Sequence, residues 1–264
     1  MTISARLVLA GALALAAALA QAAPSVHLED LTWPELRDRV AAGAAIALVP
    51  IGGTEQNGVH MALGKHNRRV FLLAERIAQQ LGNALVAPVV AYVPEGRIDL
   101  PTEHMRWPGT ISVPEAAFEA TLESTARSLQ RAGFKTVVLL GDHGGYRKSL
   151  DRVAARVPGV LALPEYYRAS IADFSASLRA RGFSDAEIGL HAHAGLTDTT
   201  LMLALDPSLV RTERLATSKG EGADGDARRA DAALGRAAVE HIVEVTVAAI
   251  RARTGKPQST LSKP

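Results

Sequence analysis

Residues 44–66 read AAIALVPIGGTEQNGVHMALGKH. The first part, AAIALVPI (44–51), contains no charged or hydrogen-bonding side chain. A short apolar run without polar alternation is the pattern of a strand buried on both faces, as in a parallel sheet covered by helices. The fifteen residues that follow, 52–66, hold four glycines, one glutamate, one asparagine and two histidines. So polar a segment, placed where a buried strand stops, is either an unfavourable turn or a site. In open parallel sheets ligands bind beyond the carboxyl ends of the strands, which favours the site.

The same alternation of short apolar runs and longer helical ones repeats outward. TWPELR (32–37) sets Thr32 as an N-cap with Glu35 three residues later, a capping box. Residues 67–81 are apolar at Val70, Leu73, Ala74, Ile77 and Leu81, a period near 3.6 that predicts a helix. Residues 84–92 read as a second strand, and 94–110 as a loop rich in proline and charge. A helix is expected over 114–132 with Pro114 in its first turn, then a strand over 135–140. Helix 146–156, strand 160–164 and helices 167–181 and 197–205 follow. Residues 218–226, SKGEGADGD, read as a flexible loop before a closing helix over 227–253. The expected class is α/β with a mostly parallel sheet, in one domain spanning 24–255. Three polar segments, starting at Gly52, Tyr92 and Gly141, each begin where an expected strand ends, so all three converge on one sheet edge.

Composition narrows the function classes. Residues 1–23 read as a secretory signal peptide: Arg6, an apolar run at 7–20, and the small-residue pattern Ala20-Gln21-Ala22. An uncleaved anchor is the rival reading, and the expected location is periplasmic or secreted. Residues 256–264 read as a disordered tail. With no cysteine, thiolates are excluded as ligands and nucleophiles. A net charge of +2 with interspersed signs leaves no nucleic-acid footprint and no membrane patch after signal cleavage. A small-molecule substrate is the expected partner.

The loops carry the chemistry. GDHGGY (141–146) sets His143 among glycines, with room beside the imidazole. It is either a structural turn or a ligand site; no phosphate-loop pattern accompanies the glycines. Glu55, His60 and His66 each read singly as surface or packed side chains. Taken with His143, they supply a hard oxygen and imidazoles from two strand ends, a set suited to zinc or manganese with an open position for water. Such an ion lowers the pKa of its water towards about 7. GLHAHAGLTDTT (189–200) adds His193 and an acid, Asp198, in a helical first turn, where helix-dipole stabilisation is the competing role. EHMRWPGT (103–110) adds His104 and Trp107, a possible pocket wall.

Five ordered motifs then resemble the creatininase (creatinine amidohydrolase) family. G-S-x-E-Q-H-G-x-H-L-P-L-x-T-D stands here as GGTEQNGVHMALGKH from Gly52, and E-H-x-x-F-P-G-T as EHMRWPGT from Glu103. N-G-H-G-G-N stands as GDHGGY from Gly141, and H-A-G-E-x-E-T-S as HAGLTDTT from His193. The loop from Gly222 is similar to G-x-x-G-D-P-x-x-A. The resemblance implies a three-layer α/β/α fold, a homo-oligomer (often a hexamer), and hydrolysis of a C–N bond by two divalent metals. Glu55 and His143 match the family's ligands. Asn57 stands in place of a ligand histidine, His66 in place of the bridging aspartate, Leu196 in place of a glutamate, and Gly145 offers no carboxylate.

An imidazole cannot bridge two cations as a carboxylate does. The expectation is therefore one Zn2+ (or Mn2+) per chain on Glu55, His66 and His143. The resemblance further implies His193 as general acid/base, with Asp198 orienting it. His60, His104, Trp107, Asn57 and Asp142 are expected around the substrate or behind the ligands. A sugar- or cyclitol-like substrate, and a binding protein that has lost catalysis, are the alternatives.

Overall fold

The structure, a computed structural model, describes residues 25–255. The expected signal segment at 1–23 and the tail at 256–264 lie outside the described residues. Among the described residues no helix is long and apolar enough to cross a membrane.

The chain begins with α1 (Trp33–Ala41), closed at its start by the Thr32–Glu35 capping box. Then come β1 (Ile46–Ile51), α2 (Lys65–Leu81), β2 (Ala84–Val86), α3 (Glu115–Arg131) and β3 (Thr136–Gly141). The second half runs α4 (Arg147–Arg156), β4 (Val160–Ala162), α5 (Pro164–Arg168), a π turn (Ala169–Asp173), α6 (Phe174–Ala180), α7 (Asp185–Ile188), α8 (Leu196–Leu205) and α9 (Ala232–Thr254). The sheet order is β2-β1-β3-β4 and every pairing is parallel.

All six residues of β1 are buried, because each face of the sheet meets a helical layer. Ile46 and Leu48 pack with Val70, Leu73 and Ile77 of α2 and with Val239 and Ile242 of α9. Ala47, Val49 and Ile51 pack on the other side with Phe118 and Leu122 of α3 and Val153 of α4. The α/β/α sandwich is thus the direct result of an apolar run that buries alternate residues on opposite sides.

Three expected elements differ. The strand expected over 84–92 stops at Val86, since Pro88 has no N–H to donate, and resumes only as a bridge between Val90 and Ile51. The strand expected to reach 164 ends at Ala162, because Pro164 opens a helix instead, and the π turn interrupts that helix after Arg168. The closing helix begins at Ala232, where the Asp231 carboxylate caps Ala233 N–H and Leu234 N–H.

The order reverses between β1 and β3, and Ile51 pairs with Gly141 at their carboxyl ends. That switch point puts the loop carrying Glu55 beside the loop carrying His143.

Candidate metal centre

The loop after β1 is held open by its own polar residues. Asn67 Oδ1 accepts Gly53 N–H at 2.9 Å. Asn57 donates to the carbonyls of Glu55 at 2.9 Å and Ala62 at 3.0 Å. Across the switch point, Tyr146 Oη accepts Asp142 N–H at 3.1 Å and His143 N–H at 3.0 Å. The same hydroxyl lies 2.8 Å from the carbonyls of Ile51 and Gly52. One phenol therefore ties together the ends of β1 and β3.

Glu55, fully buried, stands between two different environments. Its Oε1 faces a closed circuit of charges. His66 Nε2 lies 2.8 Å from it, and His66 Nδ1 lies 2.6 Å from Asp142 Oδ2. Arg69 Nε donates to Asp142 at 2.8 Å and Arg69 Nη1 to Asp198 Oδ1 at 2.6 Å. Lys65 Nζ bonds Asp198 Oδ2 and lies 3.6 Å from Glu55 Oε1, closing the ring. Tyr166 adds a hydrogen bond to Asp142 at 2.7 Å. Burial disfavours ionisation of Glu55, yet His66 and Lys65 hold its carboxyl well below the ordinary value. Asp198 is likewise held low against its burial by Lys65 and Arg69.

The other oxygen, Glu55 Oε2, accepts no hydrogen bond, and neither oxygen of the buried Glu95 does. Around them stand His104 Nε2 at 3.3 Å and His143 Nε2 at 3.7 Å from Glu55 Oε2, with His143 Nδ1 3.6 Å from Glu95 Oε2. One ligating atom from each of Glu55, Glu95, His104 and His143 falls within 4.8 Å of all the others. Burial and the neighbouring Glu55 push the Glu95 carboxyl up to about 9. Burial holds the His143 imidazole down to about 4, with Glu55 opposing, and lowers that of His104 as well. Two buried carboxylates without donors beside two neutral imidazoles form a donor set that suits a divalent cation.

Glu95 packs directly against Gly53. A Cβ there would come within 2.5 Å of Glu95 Oε1, and the φ of +146° also favours glycine. Gly145 faces the same loop, since a Cβ on it would lie 3.9 Å from the Pro94 carbonyl.

Glu95, His104 and His143 line an open cleft of about 1500 Å³, with Glu55 buried behind them. His193 lines it too, with Nδ1 3.5 Å from Glu55 Oε1 and Nε2 3.0 Å from both the side-chain nitrogen and the carbonyl of Gln56. Burial, helped by Lys65, pushes its imidazole down to about 3, so it is neutral at pH 7. Gln56 Nε2 also reaches His104 Nδ1 at 3.1 Å, and its Oε1 accepts Gly58 N–H at 3.0 Å, which fixes the amide orientation.

The structure therefore brings Glu55, His66, His104, His143, His193, Asp142 and Asp198 to one place and leaves Trp107 on the rim, 40% exposed. His66, expected as a ligand, stands beside this cluster, with Nε2 2.8 Å from Glu55 Oε1 and Nδ1 2.6 Å from Asp142 Oδ2. His104, expected around the substrate, stands inside the cluster. Asn57 is buried in its own loop, and His60 bonds Thr199 Oγ1 at 2.9 Å away from the cleft. Glu95, Lys65, Arg69 and Gln56 are the site residues that the sequence left unmarked. Only the glycine at position 53, where the family pattern has serine, hinted that a bulky neighbour needs space.

The Creatininase family, described as creatinine amidohydrolase, matches residues 29–250. This chain belongs to that family. It is 32% identical to creatinine amidohydrolase of Pseudomonas putida over 72% of its own length and 76% of the relative's. It is 33% identical to the mycofactocin precursor peptide peptidase of Mycolicibacterium smegmatis, over 64% of this chain and 62% of that one. Its identity to the 3-dehydro-scyllo-inosose hydrolase of Thermotoga maritima is 24%, over 75% of this chain and 61% of that protein. Among solved structures, a creatininase variant described as Zn-Zn type superposes with a TM-score of 0.70, at 28% identity over 88% of this chain and 99% of that one. A manganese form of creatininase superposes at 0.67, with 28% identity over 87% and 99%. The family and fold expected from the sequence are borne out. So is a metal-dependent enzyme of the hydrolase class, and the described residues include a candidate ligand cluster.

Proposed function

We propose that this creatininase member is an exported amidohydrolase that cleaves a C–N bond of a small amide with one divalent cation, Zn2+ or Mn2+, per chain. The carrying observation is the asymmetry of Glu55. Oε2, Glu95, His104 and His143 would hold the ion, while Oε1 is already engaged by Lys65 and His66. A cation on the first side would polarise the scissile carbonyl and make water nucleophilic at neutral pH. His193, neutral and in the cleft, takes a proton and hands it to the departing nitrogen. Asp198 steadies the turn that carries His193 by accepting Ala194 N–H at 3.0 Å.

The test is ion content by ICP-MS after purification without a chelating tag, paired with a screen of lactams, cyclic ureas and N-acyl compounds. One tightly held ion and hydrolysis lost on chelation support the reading; two tightly held ions overturn its single-ion part. One ion without any hydrolysis supports the alternative of a binding protein instead. A second substrate reading, a peptide-derived amide, is favoured by the cleft itself. Its volume of about 1500 Å³ exceeds the roughly 300–1,000 Å³ common for small-molecule pockets, and one relative is named as a peptide peptidase. Periplasmic location and a homo-oligomer complete the proposal.

A further inference from the structure

His193 sits on the loop between α7 and α8 with strained backbone on both sides. Ala192 has a φ of +58° and Ala194 a φ of +51°, the left-handed region that is unfavourable for an L-residue. Two such residues flanking one side chain persist only when their surroundings over-determine them. The surroundings are the segment from Gly222 to Asp226.

Asp224 clamps both flanks of His193. Its N–H donates to the His193 carbonyl at 2.7 Å, and its carboxylate Oδ2 accepts the N–H of His191. Its carbonyl lies against Gly189 and Gly195, where a Cβ on either would come within 2.3 Å. Asp226 N–H anchors the segment to the Glu187 carbonyl at 2.8 Å. At the other end Gly222 packs on Gln56, a Cβ there falling 2.2 Å from Gln56 Oε1. That amide is the one lying between His104 and His193. The segment thus touches the histidine turn and the side chain that spaces the two imidazoles.

We propose that Asp224 is a positioning residue for His193, and that residues 222–226 form a strap holding the strained turn in its working geometry. The proposal rests on the reading of His193 as the proton carrier. The loop expected to be flexible is, on this view, the part that keeps the proton carrier in place. The Asp224 carboxylate does not touch the ligand cluster in any contact described above, so its removal acts through the turn.

The experiment compares Asp224→Ala and Asp224→Asn with the wild type in the full chain. Misplacing a reacting group by about 1 Å costs up to about 100-fold. Asp224→Ala is therefore expected to lower kcat by about 10- to 100-fold on whichever amide the wild type hydrolyses, with KM within about twofold. Zinc content is expected to stay at the wild-type level. Asp224→Asn, whose amide oxygen still accepts His191 N–H, recovers most of the loss. Independently of activity, backbone hydrogen exchange over 189–198 rises in Asp224→Ala and returns in Asp224→Asn, while 136–146 is unchanged. If the wild type hydrolyses nothing, the proposed function fails and the exchange comparison still decides the strap. Wild-type exchange and kcat in Asp224→Ala overturn the proposal; so does a loss that the asparagine leaves uncorrected and that zinc loss accompanies.

Discussion

The two oxygens of Glu55 look onto regions built from the same residue types to opposite ends. On the Oε1 side three acids meet Lys65, His66 and Arg69, and every acid has donors supplied by the chain. On the Oε2 side Glu95 and Glu55 bring two carboxylates together with no side-chain donor between them. The first arrangement is complete without a ligand; the second is stable only when protonated or when a cation joins it. One solved creatininase variant is described as Zn-Zn type. Here the buried ammonium and guanidinium already supply positive charge on one flank, which is the physical basis for expecting one ion and not two.

Glu55→Gln strikes both flanks and carries the largest expected effect. Ion content should fall to background, and hydrolysis by about a thousandfold, near 4 kcal/mol of barrier; ICP-MS and steady-state turnover read both. An ion still bound at wild-type stoichiometry would break the comparison. Lys65→Met strikes only the Oε1 side. Breaking a buried pair costs about 3–5 kcal/mol, so denaturant unfolding should show a loss of that order. The ion should remain on the other flank.

Glu95 sharpens the contrast through pH. Its carboxyl is pushed up to about 9 from an ordinary 4.5, so the ion-free folded state holds the proton more tightly than the unfolded one. The stability this group contributes is full below about 4.5 and is lost as pH rises towards about 9. Chelator-treated wild type should therefore lose unfolding free energy across that window, more steeply than Glu95→Gln, and added zinc should abolish the difference. Equal slopes for the two proteins would remove Glu95 from the cluster. The smallest effect belongs to the rim: Trp107→Ala should change KM by a few-fold at most and leave ion content untouched, as expected of a half-exposed wall.

What the sequence disclosed follows what is local. Residues 44–51 and 135–140 announced buried strands because both faces of each are apolar. The Thr32–Glu35 box announced a helix start because capping is settled within four residues. Glu55, His143 and His193 were legible through their motifs. Glu95 was not, because Pro-Glu-Gly reads as an exposed turn, and its burial depends on Gly53 in another loop. Nothing local marked Lys65, and its burial depends on Asp198, 133 positions later. His66 was read as a ligand; the placement of Asp142 and Glu55 at its two nitrogens was not legible, because Asp142 comes from the end of another strand.

The hydroxyl of Tyr146, joining the ends of β1 and β3, has a consequence for ion choice. Glu55 and His143 hang from the two strand ends that this one oxygen fastens together, so their separation cannot widen freely. Zinc bonds nitrogen and oxygen near 2.0–2.2 Å, whereas calcium needs about 2.3–2.6 Å. A larger ion must gain its room from Glu95 and His104, which come from the long loop at 94–110. On the proposed ligand set, ionic radius would thus be gauged by a fixed jaw on the sheet and an adjustable one on the loop.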